Sequence, residues 1–110
     1  MTSSLGTLEL AALLAVARLA DEAYGLAVRQ DLSGRAGRDY SVGAIYTTLQ
    51  RLETKGLLTS RASDPLPVRG GRSRRLFSVT GAGARAIRDA QQRAVAMWAG
   101  IGTPPRTRPA

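Results

Sequence analysis

The chain has 110 residues, a length that fits one domain with a single modest core and is too short for two. It contains neither cysteine nor histidine, which excludes disulfides, thiolate and imidazole metal sites, thiol redox sensing and histidine acid–base catalysis. The formal net charge is +8, and residues 33–110 carry fourteen basic and four acidic side chains, against two basic and four acidic in residues 1–32. This asymmetry favours an oriented surface for a polyanion, although codon usage rich in arginine would produce the same excess.

Two helices are predicted in the first third of the chain. The segment from Leu5 to Leu19 is rich in Leu and Ala and apolar on most of its circumference, which predicts a buried helix. Its longest apolar run, residues 10–17, is far shorter than the roughly 20 residues that span a bilayer. No cationic stretch precedes that run, so we expect a cytoplasmic protein without a secretory signal. After a break at residues 21–25, a second helix is predicted from about Tyr24 to Arg35, and its expected inward residues are Leu26, Val28 and Leu32.

The segment from Tyr40 to Leu58, YSVGAIYTTLQRLETKGLL, is the most informative part of the chain. Ser41 is placed to cap a helix and Gly56 to end it. An apolar stripe recurs at helical spacing at Ile45, Leu49 and Leu52. The opposite face carries small, hydrogen-bonding and cationic residues, namely Gly43, Thr47, Gln50, Arg51 and Thr54. These features are typical of a DNA recognition helix, although an ordinary amphipathic surface helix has the same pattern.

A β-hairpin with a long basic tip is predicted next. The strands are expected at residues 57–61 and 76–79, with Phe77 and Val79 on one face. Between them, residues 63–73 contain two prolines and two glycines and are predicted to form a loop. The arginines in and beside this loop are Arg69, Arg72, Arg74 and Arg75. Such arginines suit phosphate contact or insertion into a narrow minor groove, whereas the alternative is a solvated loop kept soluble by its charge.

A final amphipathic helix is predicted from a cap at Thr80 to about Ala99. Its apolar stripe either folds back on its own core or pairs with the same helix of a second subunit. Pairing is favoured because Trp98, near the end of the helix, has little local core to enter. The candidate dimer contacts are Leu5, Leu8, Ile87, Val95 and Trp98. We expect a DNA-binding domain at residues 1–80, a dimerisation helix at 81–99 and a disordered tail at 100–110.

The order of these elements predicts a mainly α fold with a small β-hairpin, the winged helix-turn-helix, in which the hairpin loop is the wing. The candidate DNA-binding residues around the third helix are Ser41, Gly43, Tyr46, Thr47, Gln50, Arg51 and Lys55. The ring of Tyr46 either packs while its hydroxyl reaches a phosphate, or is partly buried against the hairpin. No phosphate-binding loop, nucleophile motif or paired-carboxylate site is present, and the adjacent carboxylates of Asp21 and Glu22 are interpreted as a solvated turn. We therefore expect no enzymatic activity, no cofactor and no metal.

Over residues 5–98 the sequence resembles the PadR family of bacterial winged-helix transcriptional regulators. The resemblance rests on LGTLELAALLAVARL, AYG, SVGAIYTTLQRLETKGLL and RRLFSVTGAG, and it is most specific at residues 41–57 and at the Thr80-x-x-Gly83 start of the last helix. It implies a DNA-binding homodimer, usually a repressor, with the third helix in the major groove and the wing beside it. Family members often dimerise through C-terminal helices and some bind small aromatic ligands there. Here a single short C-terminal helix makes the dimer interface small, and the sequence gives no support for a small-molecule effector.

The sequence therefore predicts a regulator, expected to be a repressor, that binds a specific double-stranded DNA sequence as a homodimer on a palindromic operator. Two alternatives stay open: a winged-helix module for protein–protein assembly, and a basic protein that binds nucleic acid without sequence preference. No membrane partner is expected.

Overall fold

The computed structural model describes residues 5–63, 74–102 and 104–109. In chain order the elements are α1 (Thr7–Leu19), a short 3₁₀ turn (Ala20–Glu22), α2 (Gly25–Ala36), α3 (Val42–Thr54), β1 (Leu58–Ala62), β2 (Arg75–Val79) and α4 (Gly81–Trp98). The type and order of the predicted helices and strands are confirmed. No helix within the described ranges is long and apolar enough to cross a membrane.

Local signals in the sequence explain where the helices begin and end. The Ser41 hydroxyl accepts a hydrogen bond from the Ala44 N–H at 3.0 Å, and the Thr80 hydroxyl accepts one from the Gly83 N–H at the same distance. Each satisfies an N–H group of a first helical turn that has no partner within the helix. Gly37 after α2 and Gly56 after α3 have φ values of 67° and 77°, the left-handed conformation that favours glycine. The capping roles predicted for Ser41, Gly56 and Thr80 are confirmed.

The core lies where α1, α2 and α3 meet the inner face of the hairpin. Its largest fully buried side chains are Leu13, Val16, Val28, Ile45, Leu49, Leu52 and Leu58. The inward stripe predicted for the third helix is thus confirmed.

The prediction for Leu26 is wrong, because this side chain is 48% exposed. Residues two apart lie about 200° around a helix, so Leu26 cannot share a face with Val28.

The hairpin is antiparallel, and Leu58 pairs with Val79, Ser60 with Phe77 and Ala62 with Arg75. The segment before α2, predicted only as a break, also contacts it. The Phe77 N–H donates to the Ala23 carbonyl at 2.8 Å, and Tyr24 forms an isolated bridge with Leu76. β2 therefore lies between β1 and a short extended segment that leads into α2.

The start of α4 is fixed against the end of α3. Thr80 donates from its N–H to the Leu57 carbonyl at 3.1 Å and from its hydroxyl to the Gly56 carbonyl at 2.7 Å. Gly83 lies so close to the Leu57 carbonyl that a β-carbon would overlap it. This contact explains physically why glycine stands three residues after the threonine cap. The first half of α4 packs against the core through Ala82, Ala86 and Ile87, whereas the residues from Gln91 onward are exposed.

Candidate nucleic-acid interface

The outer face of α3 presents the residues predicted for it. Gly43, Thr47, Gln50, Arg51 and Thr54 are all exposed. The opposite stripe is no more than 1% exposed, so packing fixes the rotation of the helix about its own axis. Thr48 is buried as well, and its hydroxyl donates to the Ala44 carbonyl at 2.7 Å. Sequence reasoning missed Thr48 because a polar residue is not expected on a buried face, although a hydroxyl can satisfy itself within its own helix.

The turn between α2 and α3 is held by side chains of α2 and of the turn itself. The Arg29 Nε donates to the Tyr40 carbonyl at 2.5 Å, and the Tyr40 N–H donates to the Ser33 hydroxyl at 3.4 Å. The Arg38 guanidinium lies over the Tyr40 ring, 4.8 Å from its centroid. These contacts fix the angle at which α3 leaves α2, and hence the direction in which the outer face of α3 points.

Tyr46 connects α3 to the start of α2. Its side chain is 40% exposed, and its ring lies over Gly25, where a β-carbon would overlap it. The ring of Tyr46 therefore packs on the first residue of α2, and the contact of its hydroxyl with a phosphate stays a prediction. Sequence reasoning missed Gly25, because nothing in the local sequence shows that an aromatic ring 21 positions away requires the absence of a side chain there.

Two of the arginines predicted for the wing lie among the described residues, and both are held where β2 begins, at the loop end of the hairpin. The Arg74 guanidinium lies 4.3 Å from the centroid of the Tyr24 ring, a cation–π geometry. The Arg75 Nη1 donates to the Ser60 hydroxyl at 2.8 Å. Arg69 and Arg72 lie outside the described residues.

Lys55 is paired within the protein. Its ammonium lies 2.8 Å from Glu9 Oε2 on α1, so its charge is already opposed by a carboxylate. The hydrogen bond from Lys55, together with that from the Gly6 N–H, lowers the pKa of Glu9 below its ordinary value. The Arg51 guanidinium, in contrast, makes no hydrogen bond, ion pair or ring contact with the described residues. Of the candidate cations in the described ranges, Arg51 is thus the one whose side chain has no direct partner there, although its charge, like that of Lys55, lowers the pKa of Glu9.

The residues predicted for dimerisation fall into two groups. Leu5, Leu8 and Ile87 are partly buried against the protein's own core, whereas Val95 and Trp98 are 65% and 69% exposed. Met97 and Ile101 are also exposed, but Met97 lies about 200° around α4 from Val95 and so belongs to a different side of the helix. Beside α4, a groove of about 480 Å³ is lined mainly by small and apolar side chains, including Ala17, Ala20, Val79, Ala84 and Ile87.

Metal binding finds no support in the described ranges, which contain no group of three or more His, Cys, Asp or Glu side chains placed to hold an ion.

Comparisons with known proteins agree with this architecture. The family model described as "Transcriptional regulator PadR-like family" matches residues 13–89. The transcriptional regulator Rv3488 of Mycobacterium tuberculosis is 42% identical over 67 residues, which cover 61% of this chain and 58% of that protein. A Streptococcus transcriptional regulator of known structure is 30% identical over 82% of this chain and 83% of its own, with a TM-score of 0.65. The PadR family transcriptional regulator of Eggerthella lenta is 28% identical over 87% and 85%, also with a TM-score of 0.65. The winged-helix fold predicted from the sequence is thereby confirmed, while the chain spans little more than half the length of its curated relative.

Proposed function

Because the chain belongs to the PadR-like family of transcriptional regulators, we propose that it binds a specific double-stranded DNA sequence as a homodimer and represses transcription there. Membership in a family of regulators also agrees with the prediction that the chain is not an enzyme. The observation that carries the proposal is the exposed polar face of α3, held in a fixed orientation beside a hairpin whose loop is rich in arginine. An α-helix and an adjacent loop can contact the major groove and the flanking backbone together.

Each part of this surface has a distinct role in the proposed complex. Thr47, Gln50 and Arg51 offer hydrogen-bond donors and acceptors to base edges, and Arg51 is the strongest candidate because its guanidinium has no direct partner among the described residues. Gly43, which has no side chain, lets the helix backbone approach the DNA closely. Arg69 and Arg72 of the wing contact phosphates, which position the protein without specifying sequence. Lys55 contributes least, since Glu9 already opposes its charge.

The proposed dimer forms through the exposed half of α4. Val95 and Trp98 lie on one side of α4 and are exposed in a single chain, and the groove lined by Ala17, Ala20 and Ala84 lies beside the same helix. A symmetric pair would place two copies of α3 on one side of the duplex, where half-sites one helical turn apart are separated by about 34–36 Å. Such an arrangement predicts a palindromic operator.

The test begins with selection of bound duplexes from a random pool, followed by titration of the selected duplex and a scrambled one. We expect the selected sequence to bind at least ~10³-fold more tightly than the scrambled one. Arg51→Ala is expected to weaken binding to the selected duplex by about 1–3 kcal/mol. The matched control is Arg93→Ala, which removes the same charge from an exposed position of α4.

Other outcomes of this test would contradict the proposal. Absence of duplex binding at moderate salt would indicate a protein–protein assembly module instead. Equal affinity for all duplexes, falling steeply with salt, would indicate a non-specific nucleic-acid-binding protein. An unchanged affinity in Arg51→Ala would show that α3 is not the recognition helix.

The dimer is tested separately by sedimentation of Trp98→Ala, with Gln92→Ala on the polar side of α4 as its control. We expect the first substitution to shift the protein toward monomer and the second to leave it unchanged. A dimer that both variants retain would remove Trp98 from the interface.

A further inference from the structure

The inner face of the hairpin changes from apolar to polar as the hairpin leaves the core. Leu58 and Phe77 on this face are buried, and Val79 is partly buried. Farther from the core, the same face carries Ser60 and Arg75. Side chains alternate between the two faces of a strand, and Ser60, which pairs with Phe77, lies diagonally opposite Arg75. This polar stretch lies at the side of the hairpin that meets the last turn of α3.

At this polar stretch, a chain of hydrogen bonds connects the hairpin to α3. The Ser60 hydroxyl donates to Glu53 Oε2 at 2.6 Å and accepts from Arg75 Nη1 at 2.8 Å. A hydroxyl can donate and accept at once, so Ser60 can join a carboxylate to a guanidinium. Because Ser60 and Glu53 are each partly buried, the bond between them is less exposed to competition from water than a bond on the open surface. The chain links the end of α3, the middle of β1 and the start of β2.

The outer face of the hairpin is held independently. Arg74 lies over the ring of Tyr24, and Tyr24 pairs through its backbone with Leu76. The hairpin is therefore anchored along the free edge of β2 to the segment that leads into α2, and through Ser60 to α3. Since the two anchors use different partners, one can be removed while the other remains.

We propose that Glu53, Ser60 and Arg75 are positioning residues that set the distance and angle between the recognition helix and the wing. This inference rests on the proposed function and deepens it. Specific binding requires the helix and the wing to reach their DNA contacts at the same time, whereas non-specific binding depends mainly on charge and tolerates many orientations. Loosening the chain of hydrogen bonds therefore lowers discrimination between sequences more than it lowers overall affinity for DNA. Arg75, predicted from the sequence as a DNA contact, acts here through Ser60.

The test uses a matched pair of substitutions, Ser60→Thr and Ser60→Val. Both introduce a β-branched side chain of nearly the same shape, which suits a strand, but only threonine keeps the hydroxyl. The measured quantity is the ratio of affinities for the selected duplex and for a scrambled duplex of equal length. We expect Ser60→Val to lower this ratio about fivefold, the effect of losing one hydrogen bond, and Ser60→Thr to restore it. The affinity for the scrambled duplex and its salt dependence should be the same in both variants.

Two further measurements separate positioning from other effects. Thr59→Val removes an exposed hydroxyl from the other face of the same strand, and we expect it to leave the ratio unchanged. Arg75→Met should lower the ratio less than Ser60→Val does, because the bond from Ser60 to Glu53 remains, and the double variant should lose no more than Ser60→Val alone. If Arg75 instead contacted a phosphate, Arg75→Met would weaken binding to both duplexes and reduce the salt dependence by about one unit. Because Arg75 is exposed, Arg75→Met also provides the test should Ser60→Val fail to fold.

These measurements distinguish a wrong positioning role from a wrong proposed function. If the wild-type protein shows no preference for any duplex, sequence-specific binding is refuted and the positioning role falls with it. If the wild-type protein discriminates and Ser60→Val discriminates equally well, only the positioning role is overturned.

Discussion

Gly43 offers a substitution for which stability and DNA affinity should change in opposite directions. Gly43 is the second residue of α3 and is exposed, and a β-carbon built there meets no atom within 4 Å. An alanine methyl group is therefore accommodated without strain. Glycine in a helix costs about 0.5–1 kcal/mol relative to alanine, so Gly43→Ala should increase the free energy of unfolding by that amount. For a chain of this length the melting temperature should rise by about 2–4 °C.

The same methyl group should weaken binding to DNA. In the proposed complex Gly43 lies on the face of α3 that enters the major groove, where the missing side chain permits close approach of the backbone. Filling that space should reduce the affinity for the selected duplex about tenfold or more, which corresponds to ~1.4 kcal/mol. A variant that folds better but binds less cannot be explained by partial unfolding.

Thermal melting followed by circular dichroism measures the first effect, and fluorescence anisotropy with the selected duplex measures the second. The control is Gly34→Ala in α2, where a β-carbon also meets nothing within 4 Å. It should raise the melting temperature similarly and leave the affinity unchanged. If Gly43→Ala is more stable and binds DNA as tightly as the wild type, the first turn of α3 is not in contact with DNA. A lower melting temperature would refute the conclusion that the position has room for a methyl group.

Three further predictions concern the fold itself. Gly83→Ala should destabilise the protein by about 1–3 kcal/mol in chemical denaturation, because its β-carbon would overlap the Leu57 carbonyl. Gly81→Ala in the same helical turn should not, since its nearest neighbour is the end of the Arg85 side chain at 3.8 Å. Ala20→Gly should stabilise the protein by about 1 kcal/mol, because Ala20 has a φ of 50° that strains any residue with a β-carbon; no gain in melting temperature would contradict this. Acid titration of the folded state should show stability falling below about pH 4, because hydrogen bonds from Lys55 to Glu9 and from Arg18 to Asp31 lower the pKa of each carboxyl below its ordinary value. A lowered pKa stabilises the fold only while the carboxylate is ionised, so this contribution is present above the unfolded pKa and is lost as the pH falls through the folded one. An unfolding free energy that stays constant from pH 6 to pH 3 would show that these ion pairs contribute nothing.

The parts of the fold that the sequence predicts correctly are those governed by local chemistry. The caps at Ser41 and Thr80 depend on residues three positions apart, and the stripe on α3 depends on helical periodicity alone. The prediction for Leu26 is wrong for a reason that is also local, because a residue two positions before Val28 lies about 200° around the helix from it. The contacts of Gly25 with Tyr46 and of Gly83 with Leu57 were not predictable in this way, since each joins residues more than 20 positions apart.

For the basic residues as well, some properties follow from the sequence and others depend on the tertiary structure. Composition gives the number of cations but does not show which of them are engaged within the protein. Among the described candidates, Lys55 faces Glu9, Arg74 lies over Tyr24 and Arg75 is bonded to Ser60. A cation that already contacts a group of its own protein is fixed in position and is less available to bind DNA. We therefore expect these three side chains to contribute less to the recognition of base sequence than a cation without such a contact. Among the described candidates the structure thus leaves one cation without a direct partner, Arg51 on the outer face of α3, and makes its removal the most direct test of base recognition.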